Sequence, residues 1–149
     1  MHKILAKFKK FFLIDDSPAK IAGGAAVGLF MGIVPGEGVI STLVVTTIFR
    51  LNRLAGTIGI LFFNMWTTLL VLPLAAFVGS VLFHIQPGAL VADFRLNYSI
   101  GFRNFFEYSI IFKLLVPLMV GYIISALAIS FLFFLLLYFL LKYKRLKFK

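Results

Sequence analysis

The sequence predicts an all-α integral membrane protein with an amphipathic N-terminal helix, a re-entrant helical hairpin and two full transmembrane helices. Three observations carry that expectation. Hydrophobic residues make up 62% of the 149 residues and charged residues 13%, against about 25% charged in soluble domains. The formal net charge is +10, and the basic residues sit at the ends of apolar runs, as in chains anchored against an anionic cytoplasmic leaflet. The run Pro35-Gly36-Glu37-Gly38 interrupts a stretch, residues 21–49, in which Glu37 is the single ionisable side chain. Irregular backbone at membrane depth survives only where protein or a wet cavity satisfies its polar groups.

Taken in order, residues 1–16 place Ile4, Leu5, Phe8, Phe11 and Phe12 on one helical face and Lys3, Lys7 and Lys10 on the other, the pattern of a helix lying on the membrane surface. Ser17 and Pro18 then read as an N-cap and a first helical residue. Residues 21–34 would span about 21 Å and residues 39–49 about 16 Å at helical rise. Both fall short of the roughly 30 Å hydrocarbon core, so residues 17–53 read as a hairpin that enters and leaves on one side, closed by Arg50 and Arg53. Residues 54–83 carry no charge and read as one span, tilted or kinked at Pro73. Residues 84–113 carry mixed charge and many aromatics, with Phe94, Leu96, Tyr98, Ile100 and Phe102 alternating with more polar positions, and read as an outer interfacial loop or short helix. Residues 114–141 form the second span, and residues 142–149, with five basic side chains, a cytoplasmic tail. Basic residues at both ends put both termini on the cytoplasmic side. A weak likeness between residues 22–30 and 55–62 suggests an internal repeat.

Gly24, Gly28, Gly32 and Gly36 recur every four residues. On a helix they form one smooth stripe, which in lipid lets a second helix approach closely. Its partner is the return half-helix, the 54–83 span or another copy of the chain. Glu37 is the sharpest candidate for function, since ionisable groups inside a bilayer are costly. It reads either as a proton carrier or as a structural group that caps the return helix or pairs with Arg50. Counting residues from Arg50 and Arg53 puts Glu37 and the patch Asn64, Thr67 and Thr68 at similar depth, about 16 to 20 Å. Gly36, Gly38 and the first amides of the return helix point to the same level, a recurrent way for transporters to hold an anionic group. Arg50, Asn52 and Arg53 form a basic collar that either grips a phosphate or obeys the positive-inside rule. His84 reads as an interfacial residue.

Cysteine is absent, which excludes disulfides and thiolate chemistry. Phosphate loops, zinc-protease and serine-hydrolase motifs are absent as well. The expectation is therefore a non-enzyme with no cofactor, no metal and no nucleic-acid partner.

The series Ser17-Pro18-Ala19-Lys20, Gly28 to Glu37, Arg50-Leu51-Asn52, Gly56-Thr57 and Asn64-Met65-Trp66-Thr67 resembles the DUF2062 family of small, uncharacterised bacterial membrane proteins. The likeness covers residues 17–85. Met65 stands where that family usually has proline, and Glu37 where glutamine is common. The Pro-Gly-Glu tip also resembles the re-entrant hairpins of DedA-type transporters, which are associated with polyprenyl phosphate and phospholipid movement. These likenesses imply a multi-pass protein of the bacterial inner membrane. The function expected is binding or transport of an anionic lipid or polyprenyl-phosphate carrier by a homo-oligomer. Glu37, Gly36, Gly38, Arg50, Asn52, Arg53, Asn64 and Thr67 would line its site, and Gly24, Gly28 and Gly32 its packing surface. The alternatives are a non-transporting assembly partner of a membrane enzyme and a small ion channel.

Overall fold

The computed structural model describes residues 17–86, 88–101 and 110–147, all of them helical or connecting, with no strand among them. The expected surface helix over residues 1–16 and part of the 84–113 segment lie outside the described residues. Helix α1 is Pro18–Ile33, α2 Val39–Ile48, α3 Arg53–Phe62, α4 Met65–Leu82, α5 Ala89–Ile100 and α6 Val116–Lys147.

Local chemistry sets the boundaries. The Ser17 hydroxyl accepts from the Lys20 N–H at the start of α1, with Pro18 in its first turn. At α2, Gly38 donates its N–H to the Ser41 hydroxyl, which donates back to the Gly38 carbonyl. Three threonines of α2 return their hydroxyls to carbonyls one turn back, so each presents a methyl outward and leaves no donor stranded in an apolar setting. Helices α2 and α4 both end on a non-glycine residue in the left-handed region, Arg50 at φ 53° and His84 at φ 56°. The next N–H in each case reaches back five residues, Leu51 to Thr46 and Ile85 to Ser80, as in a Schellman stop.

Two expectations need correction here. The span over residues 54–83 is two helices, α3 and α4, bent by 78° at Phe63-Asn64. Pro73 lies inside an α4 that continues through it. Asn64 is the reason for the break: in extended backbone, it accepts from the Trp66 N–H at 3.2 Å and starts a new helix. The second correction concerns residues 114–141, which form only part of a longer helix. A π-turn over Ile111–Leu115 leads into α6, with the Val116 N–H bonded to the Ile111 carbonyl. Pro117, which has no N–H and whose ring crowds the preceding turn, accounts for that widened register. The aromatic alternation after residue 90 belongs to helix α5; Phe94 and Tyr98 stack one turn apart on it.

Two close crossings hold the helices together. Along α1, Gly24 meets Asn52, Gly28 meets Gly56 and Gly59, and Gly32 meets Phe63. Both series ascend, so α1 and α3 run parallel and end at one level. Along α4 and α6, Ala75 meets Gly121 and Gly79 meets Pro117, so that pair is antiparallel. Helix α6 also runs antiparallel to α1: Ile33 and Ile129 line one groove, Ala25 and Leu137 the next. The core gathers Leu29, Ile33, Val71, Ala75, Leu118 and Ala126 between these helices.

The segment Ile111–Tyr143 is long and apolar enough to cross a bilayer, and only 17% of its most apolar window is buried. A soluble core helix would be covered; this one exposes Leu127, Phe131, Leu132, Leu136 and Phe139, as a lipid-facing span does. The end of α1 lies beside the middle of that segment.

Candidate functional site

Both helix breaks open onto one pocket of about 430 Å³, lined by Met31, Gly32, Val34 to Val39, Ile60, Leu61, Asn64 and Thr68. Its geometry follows from the parallel α1/α3 crossing. Because the two helices ascend side by side, their C-terminal ends arrive together, and the breaks that follow face each other. The N-termini of α2 and α4, at Gly38 and Asn64, are thus brought to the same pocket. Each carries the partial positive charge of a helix start. In α2 the first helical backbone bond is Thr42 to Gly38, which leaves the N–H groups of Val39 and Ile40 ahead of the ladder. In α4 Asn64 closes the first turn through its side chain and its carbonyl, which accepts from Thr67.

The opposite wall is acceptor-rich. The last carbonyls of a helix have no partner within it. At the end of α1 those of Gly32 and Ile33 both accept from the Thr68 hydroxyl, at 3.2 and 3.1 Å. The Thr68 carbonyl in turn accepts from the Tyr122 hydroxyl of α6 at 2.9 Å. Tyr122 is 4% exposed. A chain of hydrogen bonds therefore runs from α6 through the start of α4 to the end of α1.

The site expected from sequence is reached in part. Gly36, Glu37, Gly38 and Asn64 meet in the pocket. Glu37 is exposed on its open side, as are Pro35, Gly36 and Gly38, so it is not a buried carboxyl. Gly36, at φ 91° with open space around it, makes the turn a side chain would strain. Thr67 faces away and lines the apolar groove with Val71 and Ile129; Thr68, the next residue, takes its place. Arg50, Asn52 and Arg53 are not in the pocket. They stand at the far end of α2, ten residues or about 15 Å along the helix. Asn52 is 7% exposed and caps α3, accepting from the Ala55 N–H at 2.7 Å, while its own N–H bonds the Lys20 carbonyl. Its role is to tie the hairpin base to α1. Gly24, Gly28 and Gly32 are buried against α3, which settles their partner within the chain.

Sequence reasoning missed Tyr122, whose hydroxyl finds its acceptor 54 residues away. No local signal announces such a pairing. It also passed over Gly79 as a packing residue; the cue available was its fourth-residue spacing from Ala75. No group of side chains among the described residues could hold a metal ion.

The fold and the pocket together define a small all-helical protein with a helix long and apolar enough to cross a membrane and a pocket linked to that helix through Thr68 and Tyr122. The chain belongs to the DUF2062 family, described as an uncharacterised protein conserved in bacteria, whose model matches residues 2–148. No curated protein and no solved structure matches the chain.

Proposed function

We propose that the pocket between the two helix breaks binds the anionic headgroup of a membrane lipid or polyprenyl phosphate, and that the protein carries or presents that lipid within the bacterial inner membrane. The observation that carries this reading is the convergence of two half-helix N-termini on one pocket beside the middle of the spanning helix. Paired N-termini at mid-membrane suit a negative group, and the leading amides of α2 supply donors in a fixed array.

Glu37 shares that pocket with the anion. A carboxylate there opposes an anionic ligand and weakens its binding. Lys20, Arg50 and Arg53 lie at the opposite end of the hairpin, and the C-terminal part of α6 with Lys142 runs back toward that same end. This gathers positive charge on one side, the cytoplasmic one by the positive-inside rule. In this scheme the arginines attract anionic lipid at the surface, and a separate set of groups, the tip amides, holds the headgroup deeper.

The test is native mass spectrometry of the gently solubilised protein with identification of retained lipid. An anionic lipid should be retained by the wild type and lost in Val39→Pro. Proline fits the first helical position and removes one N–H from the pocket. Glu37→Gln removes the opposing carboxylate and should retain lipid at least as well as the wild type. Equal retention by Val39→Pro would remove the tip from the binding site. A protein that arrives with no lipid and a stoichiometric protein partner would favour the assembly role.

A further inference from the structure

We infer that Thr68 and Tyr122 are positioning residues for the pocket, forming a latch that holds the start of α4 against the end of α1 and keeps both helix N-termini aimed at one point. This rests on the headgroup reading for its purpose, though not for its geometry.

The carbonyls of Gly32 and Ile33 create the need for such a latch. Helix α1 stops at Ile33 and the chain leaves in extended backbone at Val34, so these acceptors need an outside donor. Gly32 and Ile33 are both buried, and an unmet buried carbonyl is costly. The Thr68 hydroxyl meets both at once. It links α1 to α4 directly, and it sits in the wall of the pocket.

Thr68 is itself held in place. Its carbonyl accepts the Tyr122 hydroxyl, and Tyr122 follows Gly121, where α6 touches α4 at Ala75. The latch is therefore anchored on the helix that crosses the membrane. Elsewhere α1 is held to α3 by close glycine packing and, at the far end from the pocket, by the Asn52 N–H on the Lys20 carbonyl. Opening the pocket toward the side opposite the arginines requires α4 to swing from α1, and the Thr68 bonds are what that movement breaks.

The absence of cysteine gives a direct readout. Val34 is 8% exposed, lines the pocket and follows Ile33, whose carbonyl the latch holds. Val34→Cys, close in size, therefore reports opening of the pocket through its rate of labelling by a water-soluble maleimide. In proteoliposomes of phosphatidylethanolamine and phosphatidylglycerol, adding Thr68→Val or Tyr122→Phe should raise that rate roughly five- to tenfold, the effect of losing a hydrogen bond that holds a closed state. Thr68→Ser keeps the donor and should restore the original rate. Tyr122→Phe keeps the ring and its packing, so it guards against a folding defect in the valine variant. An unchanged rate in folded Tyr122→Phe and Thr68→Val proteins, or a failure of serine to restore it, overturns the latch. Retention of phosphatidylglycerol, followed separately by native mass spectrometry, tests the headgroup reading. Faster labelling with no lipid retained by any form would keep the latch and remove the ligand.

Discussion

The two glycine crossings differ in direction, and the difference explains the architecture. At α1/α3 the helices are parallel, so both end at one level and their breaks share a pocket. At α4/α6 they are antiparallel, with Gly79 against Pro117 and Gly121 against Ala75; that crossing brings no breaks together. It fixes α4 along α6. The same device, backbone approach without a side chain between, builds a site in one place and a frame in the other. Residues 22–30 and 55–62 are the segments that pack on each other in this first crossing.

The comparison can be broken most severely at Gly28. A Cβ there would stand 2.8 Å from the Ile60 nitrogen and 2.9 Å from the Gly59 Cα, both backbone atoms that cannot turn aside. Gly28→Leu should cost well over the roughly 1–3 kcal/mol typical of an overpacked core and abolish lipid retention with the fold, seen as loss of a monodisperse species in detergent. Gly121→Ala should be next. Its Cβ would meet the Ala75 carbonyl carbon at 2.8 Å and the Gly79 nitrogen at 3.0 Å. About 1–3 kcal/mol of destabilisation is expected, read as a lower thermal midpoint, with the α1/α3 contact intact. If Gly121→Ala proves as damaging to the tip as Gly28→Leu, the two crossings are one cooperative unit and the distinction between site and frame fails.

Smaller effects sharpen the contrast between the base and the tip. Asn52→Ala and Asn64→Ala each remove an N-cap worth about 1 kcal/mol. Asn52 is buried, so its removal strands the Ala55 N–H away from water, whereas Asn64 is exposed; the Asn52 variant should therefore melt lower. Arg50→Gly should keep or slightly raise stability, by up to about 1 kcal/mol, because Arg50 occupies left-handed backbone that glycine adopts freely. Its cost should appear in binding to anionic vesicles alone. A large loss of stability in Arg50→Gly would show that the side chain has a structural partner and would weaken its assignment to lipid. Gly38→Ala, with open space about it, should shift the midpoint least, within about 0.5 kcal/mol.

Much of the first hairpin was legible in the chain. Ser17-Pro18, the four-residue glycine spacing and Pro35-Gly36 are local signals, and each acts within a turn or two of where it stands. The break at Asn64 was less so. A charge-free stretch reads as one helix because hydropathy has no term for a side chain that caps from within. Asn64 faces two competing roles, interior residue or N-cap, and the carbonyl of Phe63 lying against Gly32 goes with the second. The collar was grouped with the tip although the residue count already put Arg50 and Arg53 about 16 to 20 Å from it. The return helix carries Arg50 back to the base, away from the tip it was expected to serve.

By itself the sequence determined that this is an all-helical, apolar, cysteine-free chain with basic ends and a broken hairpin, because composition, period and caps act over a few residues. Only the tertiary structure decided that two breaks share one pocket, that Thr68 takes the place expected of Thr67, and that Tyr122 reaches across to hold it. Those depend on which helices run parallel and at what offset. That choice is made by the whole set of close backbone contacts, and no single segment of the chain contains it.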